Sequence, residues 1–214
     1  KIAKDTHEFE CDMAVVLGGD GTLLRAQAKL KEETPLLGIN MGTVGFLTDV
    51  EVKETFNALN KIIKGDYKKE KRSKLMVSHE NHYFNAMNEV VIMTNKPAKM
   101  LHFEIQVDGE TIEEVRADGL IISTPSGSTA YAMSAGGPIV DPKLEGLIII
   151  PICPYKLGAR PFIVSDTSEI TVKLLKKGKS AVFVMDGQIN EEADYLEEIK
   201  FKKADKDVYF IRTS

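Results

Sequence analysis

The sequence predicts an α/β domain followed by an all-β, sandwich-like domain. Three observations carry this. The first third alternates short apolar runs, glycine-rich loops and stretches of helical spacing. A basic run over residues 68–74 marks a change of character, after which two-residue alternation dominates. Turn signals then recur at short intervals, among them Val107-Asp108-Gly109-Glu110, with Asp-Gly at the centre of a hairpin.

Residues 13–17 form an apolar run ending in glycines and read as a buried parallel strand. Residues 22–30 place Leu23, Leu24, Ala26, Ala28 and Leu30 for a helix packed on a sheet, and residues 35–40 read as a second strand. Gly42, Gly45 and Phe46 follow in a tight loop. Residues 51–64 put Val52, Phe56, Leu59, Ile62 and Ile63 at helical spacing, and Gly65 ends that helix. This is the alternation of a Rossmann-like α/β domain, assigned to residues 1–67. The β-rich domain takes residues 68–214. Strands are expected over 73–78, 82–93, 101–107, 111–116, 162–164, 169–175, 181–185, 195–201 and 208–211, with a further turn at Lys177-Gly178-Lys179. The basic run itself reads as a solvated strand edge.

Composition narrows the function. The 214 residues are 28% charged and 43% hydrophobic, which excludes a disordered or collagen-like chain. The net charge of −4 is the wrong sign for a free-standing nucleic-acid binder, so no nucleic-acid partner is expected. No apolar run approaches the roughly 20 residues that span a bilayer, and the longest, 147–152, is interrupted by Pro151. The first ten residues lack the apolar core of a signal peptide. Cys11 and Cys153 cannot build a disulfide framework and are expected to be buried thiols in a reducing, cytoplasmic setting. His7, His79, His82 and His102 fall in no motif and are assigned no chemistry.

Two constellations carry chemistry. Gly18-Gly19-Asp20-Gly21-Thr22 follows a strand and opens a helix. Gly18, Gly19 and Gly21 let the backbone approach a ligand, and free N–H groups at a helix start attract phosphate. The loop lacks both the Gly-Lys-Ser/Thr ending of a Walker loop and the Gly-x-Gly-x-x-Gly spacing of a dinucleotide fingerprint. Asp20 is the informative residue, because a carboxylate there repels the phosphate beside it. It either works with Mg²⁺, or accepts a proton from the attacking hydroxyl, or is a plain turn aspartate. The loop resembles the motif shared by NAD kinases, diacylglycerol and sphingosine kinases, and 6-phosphofructokinases, all of which phosphorylate a hydroxyl.

The second constellation runs from Arg116-Ala117-Asp118-Gly119 through Ser123-Thr124-Pro125-Ser126-Gly127-Ser128-Thr129-Ala130-Tyr131-Ala132-Met133-Ser134 to Gly136-Gly137-Pro138. A short apolar strand enters a loop crowded with hydroxyls, which suit ribose, amide or phosphate oxygens. Tyr131 offers a ring for stacking, and Asp118 an acceptor for a sugar hydroxyl or an amide. The pattern closely resembles the Thr-Pro-Thr-Gly-Ser-Thr-Ala-Tyr-Ser signature of NAD kinases, with Ser126 for Thr and Ala132-Met133 in place of Ser-Leu.

Further segments extend the resemblance to bacterial-type NAD kinases over residues 13–211. Asn88-Glu89 matches the family's Asn-Glu pair, and residues 42–47 match its Gly-rich loop, where Phe46 reads as an adenine contact or a core residue. Arg25, five residues after Asp20, falls where the family has a ligand-contacting base and otherwise reads as a solvated helix residue. Pro151-Ile152-Cys153-Pro154-Tyr155 and Asp186-Gly187-Gln188 match later family segments, with Tyr155 replacing His and Gln188 facing the ligand. The family pattern also has a strand and helix ahead of the first loop, where only residues 1–12 stand, and a C-terminal helix. These departures read as shortening at both ends.

The resemblance implies transfer of a phosphoryl group from ATP or polyphosphate to the 2′-hydroxyl of the adenosine ribose of NAD. Asp20 would be catalytic. Gly18, Gly19, Gly21, Arg25, Phe46, Asn88, Glu89, Arg116, Asp118, Ser126, Thr129, Ala130, Tyr131, Ala132, Met133, Ser134 and Gln188 would bind NAD or nucleotide. Mg²⁺ would accompany ATP with no protein metal site assigned, and the chain would be a homo-oligomer, dimer or tetramer. A lipid kinase sharing the first loop and a non-catalytic NAD(P)-binding sensor are the competing readings.

Overall fold

The computed structural model describes residues 11–42, 45–96, 98–177 and 179–213. Lys1–Glu10 with His7, Thr43 and Val44 of the Gly-rich loop, and Gly178 of the expected Lys177–Lys179 turn lie outside the described residues. The chain divides into two compact units, residues 1–72 with 206–214, and residues 73–205.

The first unit is α/β. Strand β1 (Ala14–Gly18) leads into helix α1 (Asp20–Gln27), then β2 (Leu36–Asn40) and β3 (Val50–Glu51). A 3-10 turn (Val52–Glu54) precedes α2 (Thr55–Ile63), and β4 (Lys68–Arg72) follows. The pairs β1–β2 and β2–β3 are parallel, and α1 makes the crossover between β1 and β2. Helix α1 begins two residues before and ends three before its expected limits, and the stretch expected as one helix over 51–64 is the 3-10 turn followed by α2. Leu37, Ile39, Val50, Ala58 and Ile211 form the core of this unit, with Leu23 and Leu24 the buried face of α1.

Two expectations are corrected here. β1 is parallel, but Val15 and Leu17 are exposed, at 46% and 60%, because only one of its faces is covered among the described residues. The boundary near residue 68 also moves. Residues 68–72 and the last strand, β17 (Val208–Arg212), pair antiparallel, and β17 joins β2 through Phe210 and Leu36. The chain end therefore returns to the first unit, which a division by composition along the chain does not capture. The basic run is an edge strand as expected, with Arg72 turned inward.

The second unit holds two six-stranded sheets, and the pairings among its described strands are antiparallel. One comprises β7 (Glu89–Thr94), β10 (Gly119–Ser123), β11 (Gly146–Ile152), β12 (Phe162–Ser165), β14 (Ala181–Met185) and β15 (Ile189–Ala193). The other comprises β5 (Leu75–His79), β6 (His82–Ala86), β8 (Leu101–Val107), β9 (Glu110–Ala117), β13 (Ile170–Leu174) and β16 (Glu198–Lys203). Side chains from both sheets, including Val77, Phe103, Phe201, Ile92, Leu120 and Phe183, share one core. The far face of the first sheet is buried too, with Val91, Ile121, Ile148 and Ile150 packing on Ala132 and Val140.

That double burial explains what periodicity missed. β10 and β11 are buried along their whole length, so they read as continuous apolar runs, whereas β5 and β14 alternate. Pro151 is tolerated in β11 because its missing N–H faces the side where β12 has already ended: Ile149 is the last β11 residue with a β12 partner, Phe162. The single strand expected over 82–93 is two, in different sheets, broken at Met87–Asn88. Both cysteines are exposed, contrary to expectation. Cys11 precedes β1, and Cys153 leaves β11 with φ of 47°, turning its side chain off the sheet. Among the described residues no helix is long and apolar enough to cross a membrane.

Candidate functional site

In the α/β unit, Gly18 and Gly19 carry the chain from β1 into α1, and Asp20 is the first helical residue. The helix starts with Thr22 and Leu23 donating to Gly19 O, at 2.9 and 3.2 Å. A carboxylate in the first turn is favoured by the helix dipole. Asp20 does more than sit there. Its Oδ1 accepts from Leu47 N (3.2 Å), Thr48 N (3.1 Å) and Thr48 Oγ1 (3.1 Å), while among the described residues Oδ2 accepts from Phe46 N alone (2.8 Å). The two oxygens are therefore unequal. Oδ1 is crowded with donors, and Oδ2 keeps acceptor capacity for a further one. Gly45 makes this possible, since a Cβ there would lie 2.3 Å from Asp20 Oδ1. Gly19 has open space where a Cβ would be, and Gly21 has only Arg25 within 4 Å, at 3.9 Å. Arg25 is exposed and donates to Thr22 Oγ1 at 3.3 Å. Phe46 is 66% exposed, so it is not the core residue one of its readings implied.

In the β unit, the break between β6 and β7 is bridged by Asp186. Its Oδ2 accepts from Met87 N (2.7 Å), and its Oδ1 from Asn88 N (2.8 Å) and Glu89 N (3.1 Å). Asp186 and Gly187, with positive φ of 46° and 68°, open the three-residue connection from β14 to β15. The segment after β10 then crosses over Asn88. Thr124 N donates to Asn88 O (2.9 Å), Thr124 Oγ1 to Met87 O (2.7 Å) and Ser123 Oγ to Asn88 O (3.1 Å). Gly127 lies so close that a Cβ would stand 2.2 Å from Asn88 O.

This packing leaves Asn88 Oδ1, Glu89 Oε2 and Ser126 Oγ buried without a hydrogen-bond partner. Buried polar groups are nearly always paired, so three unpartnered atoms on adjoining segments single this place out as a candidate site. Glu89 is 7% exposed. Burial, then the neighbouring Asp186 charge, pushes its carboxyl up to about 8, against the Tyr131 amide that donates to it. Asp186 is raised by burial too, opposed by the three amides it binds.

The other expected residues divide. Thr129, Ala130, Tyr131, Met133 and Ser134 lie along the 3-10 turn (Ser126–Thr129) and helix α3 (Tyr131–Ser134), with Tyr131 and Met133 partly exposed. Ala132 is a correction: it is fully buried, and its methyl packs in the core with Val91 and Ile121. Arg116 and Asp118 do not join the Asn88 group within this unit. Glu89 pairs with Ser123 at one end of β10, while Gly119, next to Asp118, pairs with Met93 at the other, roughly 14 Å along the strand. Gln188 is exposed at the end of the Asp186 turn. Sequence reasoning missed Asp186, Thr48 and Thr124 as organising groups. Only the turn Asp-Gly and the hydroxyl-rich run signalled two of them. Among the described residues no group of three or more His, Cys, Asp or Glu is placed to hold a metal ion.

Comparison with known proteins agrees with the two motifs. Residues 1–67 match the ATP-NAD kinase N-terminal domain and residues 87–213 the ATP-NAD kinase C-terminal domain. The NAD kinase of Methanothermobacter thermautotrophicus is 54% identical over 100% of this chain and 76% of its own length. The bifunctional NADP phosphatase/NAD kinase of Methanococcus maripaludis is 50% identical over 95% of this chain, which spans 37% of that protein. Among solved structures, the Archaeoglobus fulgidus NAD kinase in complex with ATP superposes with a TM-score of 0.84 at 38% identity, covering 95% of this chain and 78% of that one. The yeast NADH kinase complexed with NADH gives 0.89 at 30% identity, covering 95% and 62%.

Proposed function

The chain belongs to the NAD kinase family, and from that premise we propose that Asp20 and the Asn88 group work on NAD, whose adenosine 2′-hydroxyl receives the γ-phosphoryl group of ATP to give NADP. The observation that carries the reading is the Asp20 carboxylate, anchored through Oδ1 and left with one donor on Oδ2. Oδ2 orients the hydroxyl and takes its proton as the phosphoryl group arrives. A loose transition state lets that proton leave late, so a weak carboxylate base suffices. Gly18, Gly19 and Gly21 bring backbone N–H groups to the phosphates, with Arg25 and Phe46 beside them. Asn88 Oδ1, Glu89 Oε2 and Ser126 Oγ, which lack partners among the described residues, exchange hydrogen bonds with NAD, and Thr129, Ala130, Tyr131, Met133 and Ser134 complete that surface.

The described residues do not build a cage for Mg²⁺, and Asp20 Oδ1 is already filled. Mg²⁺ enters this reading on the ATP phosphates, as it commonly does, and no step is routed through it. Cytoplasmic location, polyphosphate as a second donor and assembly into dimers or tetramers belong to the same reading and rest on the family resemblance.

The test is NADP formation from NAD, ATP and Mg²⁺, with Asp20→Asn in parallel. The wild type should turn over, and the variant should lose about 10²-fold or more in kcat with NAD affinity largely kept. Tight NAD binding with no turnover in the wild type would instead mark a dinucleotide sensor.

A further inference from the structure

Arg212, the last residue of β17, lies 165 residues from Leu47 in sequence yet bonds to it. Its Nη1 donates to Leu47 O at 3.2 Å and pairs with Asp49 Oδ1 at 2.9 Å, while Nε donates to Glu70 Oε2 at 2.5 Å. The guanidinium is only 15% exposed and lies 5.4 Å from the centre of the Phe210 ring. Burial alone would push Glu70 up, but Arg212 and Arg72 outweigh it and hold its carboxyl below the usual range. The group is a fixed ion network, with Arg212 at its centre.

Leu47 is the link. Its N–H points to Asp20 Oδ1 and its C=O to Arg212 Nη1. Its side chain and that of Thr48 are buried, at 5% and 1% exposure. The amides that orient Asp20 are thus gripped on one side by its carboxylate and on the other by Arg212. All of these residues lie in the α/β unit.

We propose that Arg212 is a positioning residue for the phosphoryl transfer: through Leu47 and Asp49 it fixes the amides of residues 46–48, and through them the direction of Asp20 Oδ2. This rests on the reading that Asp20 takes the hydroxyl proton. An arginine suits the task because its planar fork serves three acceptors at once, which a lysine ammonium on a flexible stem does not.

The experiment measures kcat, KM for NAD and for ATP, and thermal unfolding for Arg212→Gln, Arg212→Lys, Glu70→Gln and Asp20→Asn. Small misplacements of reacting groups cost rate rather than affinity. Arg212→Gln should lower kcat about tenfold or more, with both KM values within about twofold. Arg212→Lys, which retains the charge and the fold, should fall between it and the wild type. Glu70→Gln removes the sheet-side partner of Arg212 without touching Leu47, and its kcat should stay close to wild type. The inference is overturned if both Arg212 variants keep wild-type kcat while Asp20→Asn loses it, or if Glu70→Gln falls as far as Arg212→Gln. Full turnover by Asp20→Asn would instead remove the proton-acceptor reading and leave Arg212 nothing to position.

Discussion

Asp20 in the α/β unit and Asp186 in the β unit each receive three successive main-chain N–H groups, from Phe46 to Thr48 in one case and from Met87 to Glu89 in the other. Their surroundings differ. Asp186 lies in a tight hairpin turn, raised by burial and set against a second buried carboxyl, Glu89. Asp20 lies among glycines, beside the exposed Phe46, with one oxygen lightly used. One carboxylate closes a gap between two strands of different sheets. On the proposed reading the other presents Oδ2 to the substrate hydroxyl. The same hydrogen-bond pattern then serves one carboxylate as a structural clamp and the other as a mount for a proton acceptor. The pattern alone therefore does not identify the reactive residue.

Removing each carboxylate should separate the two roles most sharply. Asp186→Ala strands three N–H groups in a buried break, each of which costs about 1–3 kcal/mol when left unpaired, so its urea midpoint should drop far below wild type. Asp20→Ala strands the buried Leu47 and Thr48 N–H groups too but leaves the N–H of the exposed Phe46 to water, so its midpoint should fall by less than that of Asp186→Ala. Equal losses in the two variants would break the distinction.

The glycines facing the two clamps give the next contrast. At Gly127 a methyl group meets the Asn88 carbonyl at 2.2 Å, and at Gly45 it meets Asp20 Oδ1 at 2.3 Å. Gly127→Ala is expected to cost about 1–3 kcal/mol of stability, because backbone must shift. Gly45→Ala is expected to displace the Asp20 side chain, lowering kcat with a smaller change in stability. Paired denaturation curves and turnover rates check both.

The last contrast is in pH dependence, read as a slope. Glu89 titrates from the ordinary 4.5 in the unfolded chain and at about 8 in the fold, so between these values the folded state holds a proton that the unfolded state has released. Its contribution to stability is complete below 4.5 and is lost as pH rises toward 8, with a slope of at most about 1.4 kcal/mol per pH unit. Asp186 is raised too and adds in the same direction. Glu89→Gln, neutral throughout, should flatten the slope in urea titrations between pH 5 and about 8. A slope as steep as wild type would place the linkage elsewhere.

Much of this was legible locally. The Gly-Gly-Asp-Gly loop followed a strand and opened a helix as read, and Asp108-Gly109 turned with positive φ at both residues, 52° and 85°. The hydroxyl-rich run was legible as a segment, but that Ser123 and Thr124 bond to the Met87 and Asn88 carbonyls was not. What stayed hidden depended on burial of both sheet faces. β11 lost its alternation that way, and the strand expected over 82–93 hid a switch between sheets. Arg116 and Asp118 belonged to the same motif as Ser126 by sequence, but a strand's length separates them in space.

The sequence by itself determined the order of elements, the turn positions and the two motifs, because helix starts, hairpin turns and glycine loops depend on neighbours a few residues apart. The tertiary structure alone decided which groups those motifs engage. Asp20 reaches amides 26 to 28 residues away, Asp186 amides 97 to 99 away, and Arg212 a carbonyl 165 away. Such partners are selected by strand order and register, and a one-residue slip in either turns a side chain to the opposite face.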